Sequence, residues 1–424
     1  LTIPSNNCFS KAYYGSGLRF YDYLSGDNSI AKSRFISNTE LQELFPLLQK
    51  CSGGVCYSDG QFDDARLNLL MALTAEKAGA TIANYCKALD FEYTTDGKLK
   101  GVITEDSIGN QSRWNTKVVI NATGIHADNI RKKVDSNIER RIFTSRGSHL
   151  VLKDNLCPLK KGLLLPSTED GRVLFILPYH EHTLIGTTDI PCSIQDAQKP
   201  STEEEEYLLS HLKSLFPSLK NPECISKWAG ARPLVKPQKT KNSSQIVREH
   251  EIETLPCGLI SAMGGKWTTC RRIALDALKA VEVVLDRRLS NPTRINLTGS
   301  LGDPAETKFL LKQQANELRE HLPNNELLEK QINHLQSKYG LNALQIIKES
   351  SLNQLEPLSK VIPICNAEIL HDISHEHAKT STDVLARRSR LAMVDFEEAK
   401  RLLPIVQKHL SNMSLPTSEL NLEH

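Results

Sequence analysis

The spacing of apolar residues changes along the chain and divides it into regions of different predicted structure. The opening FSKAYYGSGLRFYDYLSG places Phe9, Tyr13, Leu18, Tyr21 and Leu24 loosely on one helical face, which predicts a helix packed on a core. A membrane-surface helix is the competing reading, disfavoured by the few Lys and Arg residues among the aromatics. NTELQELFPLL reads as a short helix with Asn38 or Thr39 as N-cap. Asp63 starts a further helix whose Leu67, Leu70, Met71 and Leu73 recur at helical spacing until Gly79 ends it. Next come a strand, ATIANYCKAL, a hairpin about Thr95-Asp96-Gly97, the strand LKGVITED, a turn at Gly109-Asn110, and KVVINATG, a buried strand whose end turns abruptly small.

From Arg141 to about Ser261 the period shortens to that of strands, in SHLVL, GLLLP, RVLFILPY and TLIGTTD, separated by Gly, Pro and Asp. One helix interrupts them. Ser201 with Glu204 three residues on is a capping box, and the EEEE run fills the first turn, where negative charge suits the helix dipole. Those carboxylates read as a solvated helix start rather than a metal site. WAGARPLV follows, then KPQKTKNSSQ, which reads as an exposed loop. The run LISAM stops at Gly264-Gly265, and a helix extends from about Trp267 to Leu285, before the break at Asn291-Pro292. From about Pro304 to His409 the pattern is amphipathic helix, stopped once at Tyr339-Gly340, which predicts a separate helical domain.

At 424 residues the chain exceeds the size at which one core keeps growing, so two or three domains are expected. A formal net charge of +2 gives no general pull toward nucleic acid, so an anionic ligand needs a local cluster. Ten cysteines without a CxxC pair argue against a zinc site or a dithiol motif and fit a reducing compartment. No apolar run is long enough to cross a bilayer. The chain begins at Leu1 rather than Met, so a leading segment is expected to be missing and targeting is not legible.

Two places let a backbone approach a ligand closely: the strand end Asn121-Ala122-Thr123-Gly124 and the turn Gly264-Gly265-Lys266 at a helix start. Two such points in one α/β region suit a dinucleotide or flavin better than a single phosphate. No GxGxxG follows a strand here, so either no nucleotide binds or the first βαβ unit lies before Leu1.

YSDGQFDDARLNLLMALTAEKAGATIANY, INATGIHADNIRK, GSHLVL, DGRVLFILPY, LIGTTD, WAGARPLV and GGKWTTCR, in this order, resemble the FAD-dependent glycerol-3-phosphate dehydrogenases that feed electrons to quinone. ISHEHAKTSTDVLARRSRLAM resembles that family's C-terminal helical domain, and the matches run from about Asp59 to His409. The family's glycine-rich FAD unit is absent, so the chain reads as an amino-terminally truncated copy. The resemblance implies an α/β plus α fold: the remainder of a flavin domain over 1–140 with a substrate-domain excursion near 30–62, an antiparallel substrate sheet over 141–255, a return to the flavin domain over 256–290 and helices over 300–415.

Cofactor roles follow from the same resemblance. Gly264 and Gly265 would let the flavin ring approach, with Lys266, Thr268 and Thr269 around it. Thr123 and Gly124 would lie along the FAD, and Ala88, at a strand end, near its adenine. Amides at a helix N-terminus are suited to the negative charge that a reduced flavin gathers. A phosphate dianion calls for a fork and a point charge, and Arg232 and Lys266 are the matching positions. The residues alone equally allow Arg232 to pair a buried carboxylate and Lys266 to be a surface lysine. Oxidising a secondary alcohol needs a proton acceptor; His149, beside the small Gly147-Ser148, is the candidate, with a core histidine as the alternative.

No metal is expected. His180 and His182 alternate on one strand face and His371 and His375 share a helix face, but neither pair has further ligands at a convincing spacing. Arg387, Arg388 and Arg390 read as a helix end facing Asp383 or another domain. No EF-hand loop supports calcium control. The expected activity is oxidation of glycerol 3-phosphate with electrons passed to a membrane quinone. The expected location is peripheral, on the inner mitochondrial or bacterial cytoplasmic membrane, compatible with a homodimer and without nucleic acid. The alternatives are an inactive fragment serving as an interaction module, and another amine or hydroxy-acid oxidase of the same fold.

Overall fold

The computed structural model describes residues 1–26, 30–236, 249–291 and 293–422. The chain opens with β1 (Thr2–Ser5), α1 (Cys8–Ser25), β2 (Arg34–Ile36), α2 (Asn38–Leu44), β3 (Gly53–Cys56) and α3 (Asp64–Lys77). A meander of β4 (Cys86–Tyr93), β5 (Leu99–Asp106) and β6 (Gln111–Asn115) follows, turning at Gly97 and Gly109, both at positive φ. β7 (Val119–Asn121) and α4 (Ala127–Val134) lead into β8 (Ile142–Leu152), β9 (Leu163–Leu165), β10 (Leu174–Tyr179), β11 (His182–Gly186) and β12 (Ile190–Pro191). Then come α5 (Thr202–Leu215), β13 (Cys224–Val235), β14 (His250–Thr254), β15 (Leu259–Gly264) and α6 (Cys270–Leu285).

The largest sheet runs β12-β8-β11-β10-β9-β1-β3-β2, with β13 paired along β8 from Cys224 to Val235. It is antiparallel except where β1 meets β9. Side chains alternate across a strand. On β8, Arg146, Leu150 and Leu152 meet α5, through the Arg146–Glu204 ion pair and a core shared with Leu208, Leu212 and Phe216. Ser145, Gly147 and His149 therefore point to the opposite face. The sheet includes β1, so it begins at Thr2 and not near residue 30, because Thr2–Ser5 pairs with Gly53–Cys56.

The second sheet, β14-β15-β7, carries the parallel pair β15 and β7, with Ser261 opposite Asn121. It takes up the chain at His250, since His250–Thr254 pairs with β15, which is earlier than the expected return at 256. A buried charge network fastens it to the large sheet: Arg131 of α4 bonds Asp128 (2.6 Å) and Glu253 (2.6 Å), and Arg141 bonds Glu251.

The C-terminal part is helical: α7 (Pro304–His321), α8 (Leu328–Tyr339), α9 (Ala343–Lys348), α10 (Asn366–His375), a π-turn over Asp383–Arg388, α11 (Leu391–Val394) and α12 (Phe396–Asn412). α8 stops at Gly340 (φ 58), whose backbone packs so closely on Gly299 that a Cβ would lie 2.2 Å from its carbonyl oxygen.

Several expectations are corrected. α1 buries only Gly15; Phe9, Tyr13, Phe20 and Tyr23 are exposed, so this is not a helix packed on a core. The N-cap of α2 is Ser37, whose hydroxyl accepts from the Glu40 amide, rather than Asn38 or Thr39. Ala80–Tyr85 is not strand, and pairing begins at Cys86. In α3 the buried residue is Arg66, held by Glu376 at 2.6 and 2.7 Å, while Met71 is exposed. The EEEE run is not wholly solvated, since Glu204 is buried against Arg146 and Thr188. The segment KPQKTKNSSQ lies largely outside the described residues.

Candidate active site

Cross-strand register places the candidate residues. Trp228 of β13 lies opposite His149 of β8, Gly230 opposite Gly147, and Arg232 opposite Ser145, so all six share the face turned away from α5. The two glycines between His149 and Arg232 keep the floor low. A Cβ on Gly147 would stand 2.2 Å from the Arg232 guanidinium, and one on Gly186 of β11 would stand 2.3 Å from the His149 ring. Both side chains thus lie across glycine backbone that any other residue would occupy.

Arg232 is aimed by the loop after β11: one guanidinium nitrogen donates to the Thr188 carbonyl (3.0 Å), another to the Thr187 hydroxyl (2.9 Å), and Asp189 stands 3.6 Å away. Asp189 is partly exposed at 38% and also accepts from Ser145, so the buried-carboxylate partner is not what Arg232 has here. The guanidinium is thus aimed by two threonines and an aspartate, and its planar fork is suited to an anion on this face. Thr187, Thr188 and Asp189 were readable only as the motif GTTD, with nothing in a single sequence to put them beside Arg232.

His149 stacks on Trp228, centroids 4.3 Å apart. Its Nδ1 is buried without a hydrogen-bond partner among the described residues, which leaves Nε2 as the nitrogen able to exchange a proton with a ligand. Burial, with the Arg232 charge beside it, pushes its pKa down to about 4, so the ring is neutral at physiological pH. It is a candidate acceptor, and a weak one until an anion offsets the guanidinium.

The turns at Thr123-Gly124 and Gly264-Gly265 follow parallel neighbouring strands and open at one sheet edge, each at the start of a helical segment. Gly264 (φ 69) and Gly265 (φ 87) are required by the fold itself, because a Cβ would strike Val235 and the Glu249 carbonyl, or Ile273. Gly124 (φ 57) faces open space. Thr123 donates to Asn121 Oδ1 (2.8 Å), which fixes that turn. Lys266, Thr268 and Thr269 are exposed, and the Thr269 hydroxyl donates to the Lys266 carbonyl (2.9 Å). A small core of Ala127, Ile142, Val235 and Met263 knits this edge to the ends of β8 and β13. Ala88 sits apart, third in β4 opposite Thr104, in the meander and not at a strand end.

The histidine pairs divide. His180 and Glu181 (φ 47 and 69) form the two-residue turn between Tyr179 and His182, so His180 does not share a strand face with His182. His371 and His375 do stack on α10, centroids 4.9 Å apart. Among the described residues no group of three or more side chains comes together as a metal site. Arg387 and Arg388 pair Asp383 (2.7 and 3.4 Å), and Arg390 reaches Asp63 (3.6 Å) and Asp64 (3.4 Å) across to α3.

Comparison with known proteins agrees with this architecture. The family "FAD dependent oxidoreductase" matches residues 10–271, and "C-terminal domain of alpha-glycerophosphate oxidase" matches residues 292–414. The mitochondrial glycerol-3-phosphate dehydrogenase of Rattus norvegicus is 32% identical over 99% of this chain, and that of Arabidopsis thaliana 32% over 96%. The chain spans 59% of the rat protein and 68% of the Arabidopsis one. The FAD-complexed glycerol-3-phosphate dehydrogenase of Bacillus halodurans shares the fold, with a TM-score of 0.75 at 24% identity over 96% of this chain and 85% of that one. The match in sequence and in fold thus runs through both the sheets that carry the candidate site and the helices behind them, and the chain belongs to the FAD-dependent oxidoreductase family, in the branch that carries the alpha-glycerophosphate oxidase C-terminal domain.

Proposed function

We propose that this chain carries the substrate face of an FAD-dependent enzyme that oxidises sn-glycerol 3-phosphate to dihydroxyacetone phosphate and passes the electrons to a membrane quinone. The observation that carries the reading is the shared face of β8 and β13, where a neutral imidazole and a forked cation lie side by side across glycine backbone. Arg232 takes the phosphate, with Lys266 as a second positive charge. His149 Nε2 takes the hydroxyl proton as the carbon–hydrogen bond beside it breaks. Bound FAD supplies the acceptor for the departing hydride and carries the two electrons onward.

The strand ends at Thr123-Gly124 and Gly264-Gly265 suit a flavin: both are small-residued and lead into helix starts whose amides favour negative charge, and Gly124 faces open space. Thr123, Gly124, Lys266, Thr268 and Thr269 would hold the cofactor there, and Ala88 would serve a more distant part of it. Burial is the larger cause of the low His149 pKa and the Arg232 charge the smaller, and substrate phosphate on Arg232 would offset that second part.

α1 supports peripheral membrane contact, because Phe9, Phe20, Tyr23 and Leu24 project from it while no described helix is long and apolar enough to cross a membrane. The test of the activity is anaerobic addition of glycerol 3-phosphate to the protein supplied with FAD. Bleaching of a bound flavin is expected. A protein that takes up no flavin favours the inactive fragment, and a bound flavin bleached by an amino acid but not by glycerol 3-phosphate favours the oxidase alternative.

A further inference from the structure

An imidazole base is ordinarily oriented by a hydrogen bond to its second nitrogen. His149 Nδ1 has none among the described residues, so contact must set the plane of its ring. On one side lies the bare backbone of Gly186. On the other lies Trp228, its plane 23° from parallel with the imidazole.

Trp228 is itself tethered. Its Nε1–H donates to the Met393 carbonyl (3.1 Å), and Ser226, two residues earlier on the same face, donates to the Ala392 carbonyl (2.9 Å). Both carbonyls belong to α11, the short helix that follows Arg390 and its reach to Asp63 and Asp64. A cavity of about 750 Å³, lined by Lys153, Trp228, Asp395, Phe396 and Leu422 among others, adjoins the indole. The bond to Met393 ties the indole to α11 on that side.

We propose that Trp228 is a positioning residue for the base: it fixes the plane of His149 by stacking and is fixed in turn by the C-terminal helical domain through Met393. That domain then aligns the proton acceptor from behind. The inference rests on the dehydrogenase reading for its catalytic consequence, but not for its structural one. Arg232 is the charged group beside the ring, and it stays in place in the variants that test the idea.

The experiment compares Trp228→Leu, which removes the stack, with Trp228→Phe, which keeps a ring but loses the tether. The ring of His149 is followed by nitrogen-labelled NMR titration of the full chain, assigned with His149→Gln. In Trp228→Leu water reaches the imidazole, so its titration midpoint should rise by about one pH unit toward the ordinary histidine value. The kcat should fall on the order of 100-fold with KM for glycerol 3-phosphate within about twofold, the signature of a misplaced acceptor rather than a lost binding group. Trp228→Phe, with a ring but no N–H for Met393, should fall between wild type and Trp228→Leu in both titration and kcat, and full wild-type behaviour would overturn the part assigned to Met393. An unchanged His149 titration in Trp228→Leu would overturn the positioning. A titration that moves while kcat does not would instead overturn the assignment of His149 as the base.

Discussion

A single methyl group decides the geometry at Gly147 and Gly186. Neither has positive φ, so alanine is acceptable to the backbone at both. What alanine meets is a candidate site side chain: the Arg232 guanidinium at 2.2 Å in one case and the His149 ring at 2.3 Å in the other. Gly147→Ala is expected to raise KM for glycerol 3-phosphate about tenfold or more with kcat little changed. Gly186→Ala is expected to lower kcat by a similar factor. Steady-state kinetics on the two variants check this, and an effect of the same kind in both would contradict the division of roles. At this scale the sequence named His149, Arg232 and Lys266, but Gly186, Trp228 and the threonines of GTTD gained their meaning only from register. Pairing across strands is not written in one chain's periodicity, and the same limit put His180 on a strand face when it belongs to a turn.

At the scale of elements, α3 was legible as a helix from its apolar spacing, but that spacing does not say what the helix buries. Its buried residue is Arg66, whose partner Glu376 is 310 residues away, and removing one member of such a pair leaves a charge stranded in the interior. Pattern gives the period of a helix; its surroundings decide which side is covered. α1 makes the same point, since Phe9 and Tyr13 are at helical spacing yet 82% and 67% exposed. If this face lies on lipid, replacing Phe9 and Phe20 by Ser should weaken sedimentation with anionic phospholipid vesicles by about tenfold, while leaving glycerol 3-phosphate binding unchanged. Equal sedimentation of both proteins would remove α1 from the membrane surface.

For the whole molecule, buried titratable groups set how stability responds to acid. Burial holds His149, His180 and His371 at about 4, below their ordinary 6.5, so as pH falls through that window the unfolded chain takes up protons that the folded one refuses. Burial among other carboxylates raises Asp372 to about 7, which acts in the opposite direction and cancels part of the loss. Two protons' difference remains, three histidines less one carboxyl, so stability should decline by roughly 2.7 kcal/mol per pH unit from about pH 6.5 to 4.5. Below the ordinary glutamate value of 4.5 Glu368, held at about 2 by His334 and Lys338, and Glu376, held at about 2 by Arg66, add to the decline as they lose their ion pairs. Urea titrations across this range measure it, and a stability that rises toward pH 5 would show that these histidines are not buried neutral. The three-part architecture itself was legible from changes of period, because each part buries its apolar residues in a different geometry. Its seams were not, since Thr2–Ser5 and His250–Thr254 join sheets according to partners far along the chain.

The central claim is that the glycine-floored face of β8 and β13 binds a phosphate ester through Arg232. Phosphorus NMR titration of glycerol 3-phosphate with the unaltered protein and with Arg232→Leu tests it without requiring turnover. Saturable binding that weakens at least 30-fold on the order of 2 kcal/mol is the predicted result. Binding of equal strength in both proteins would contradict it.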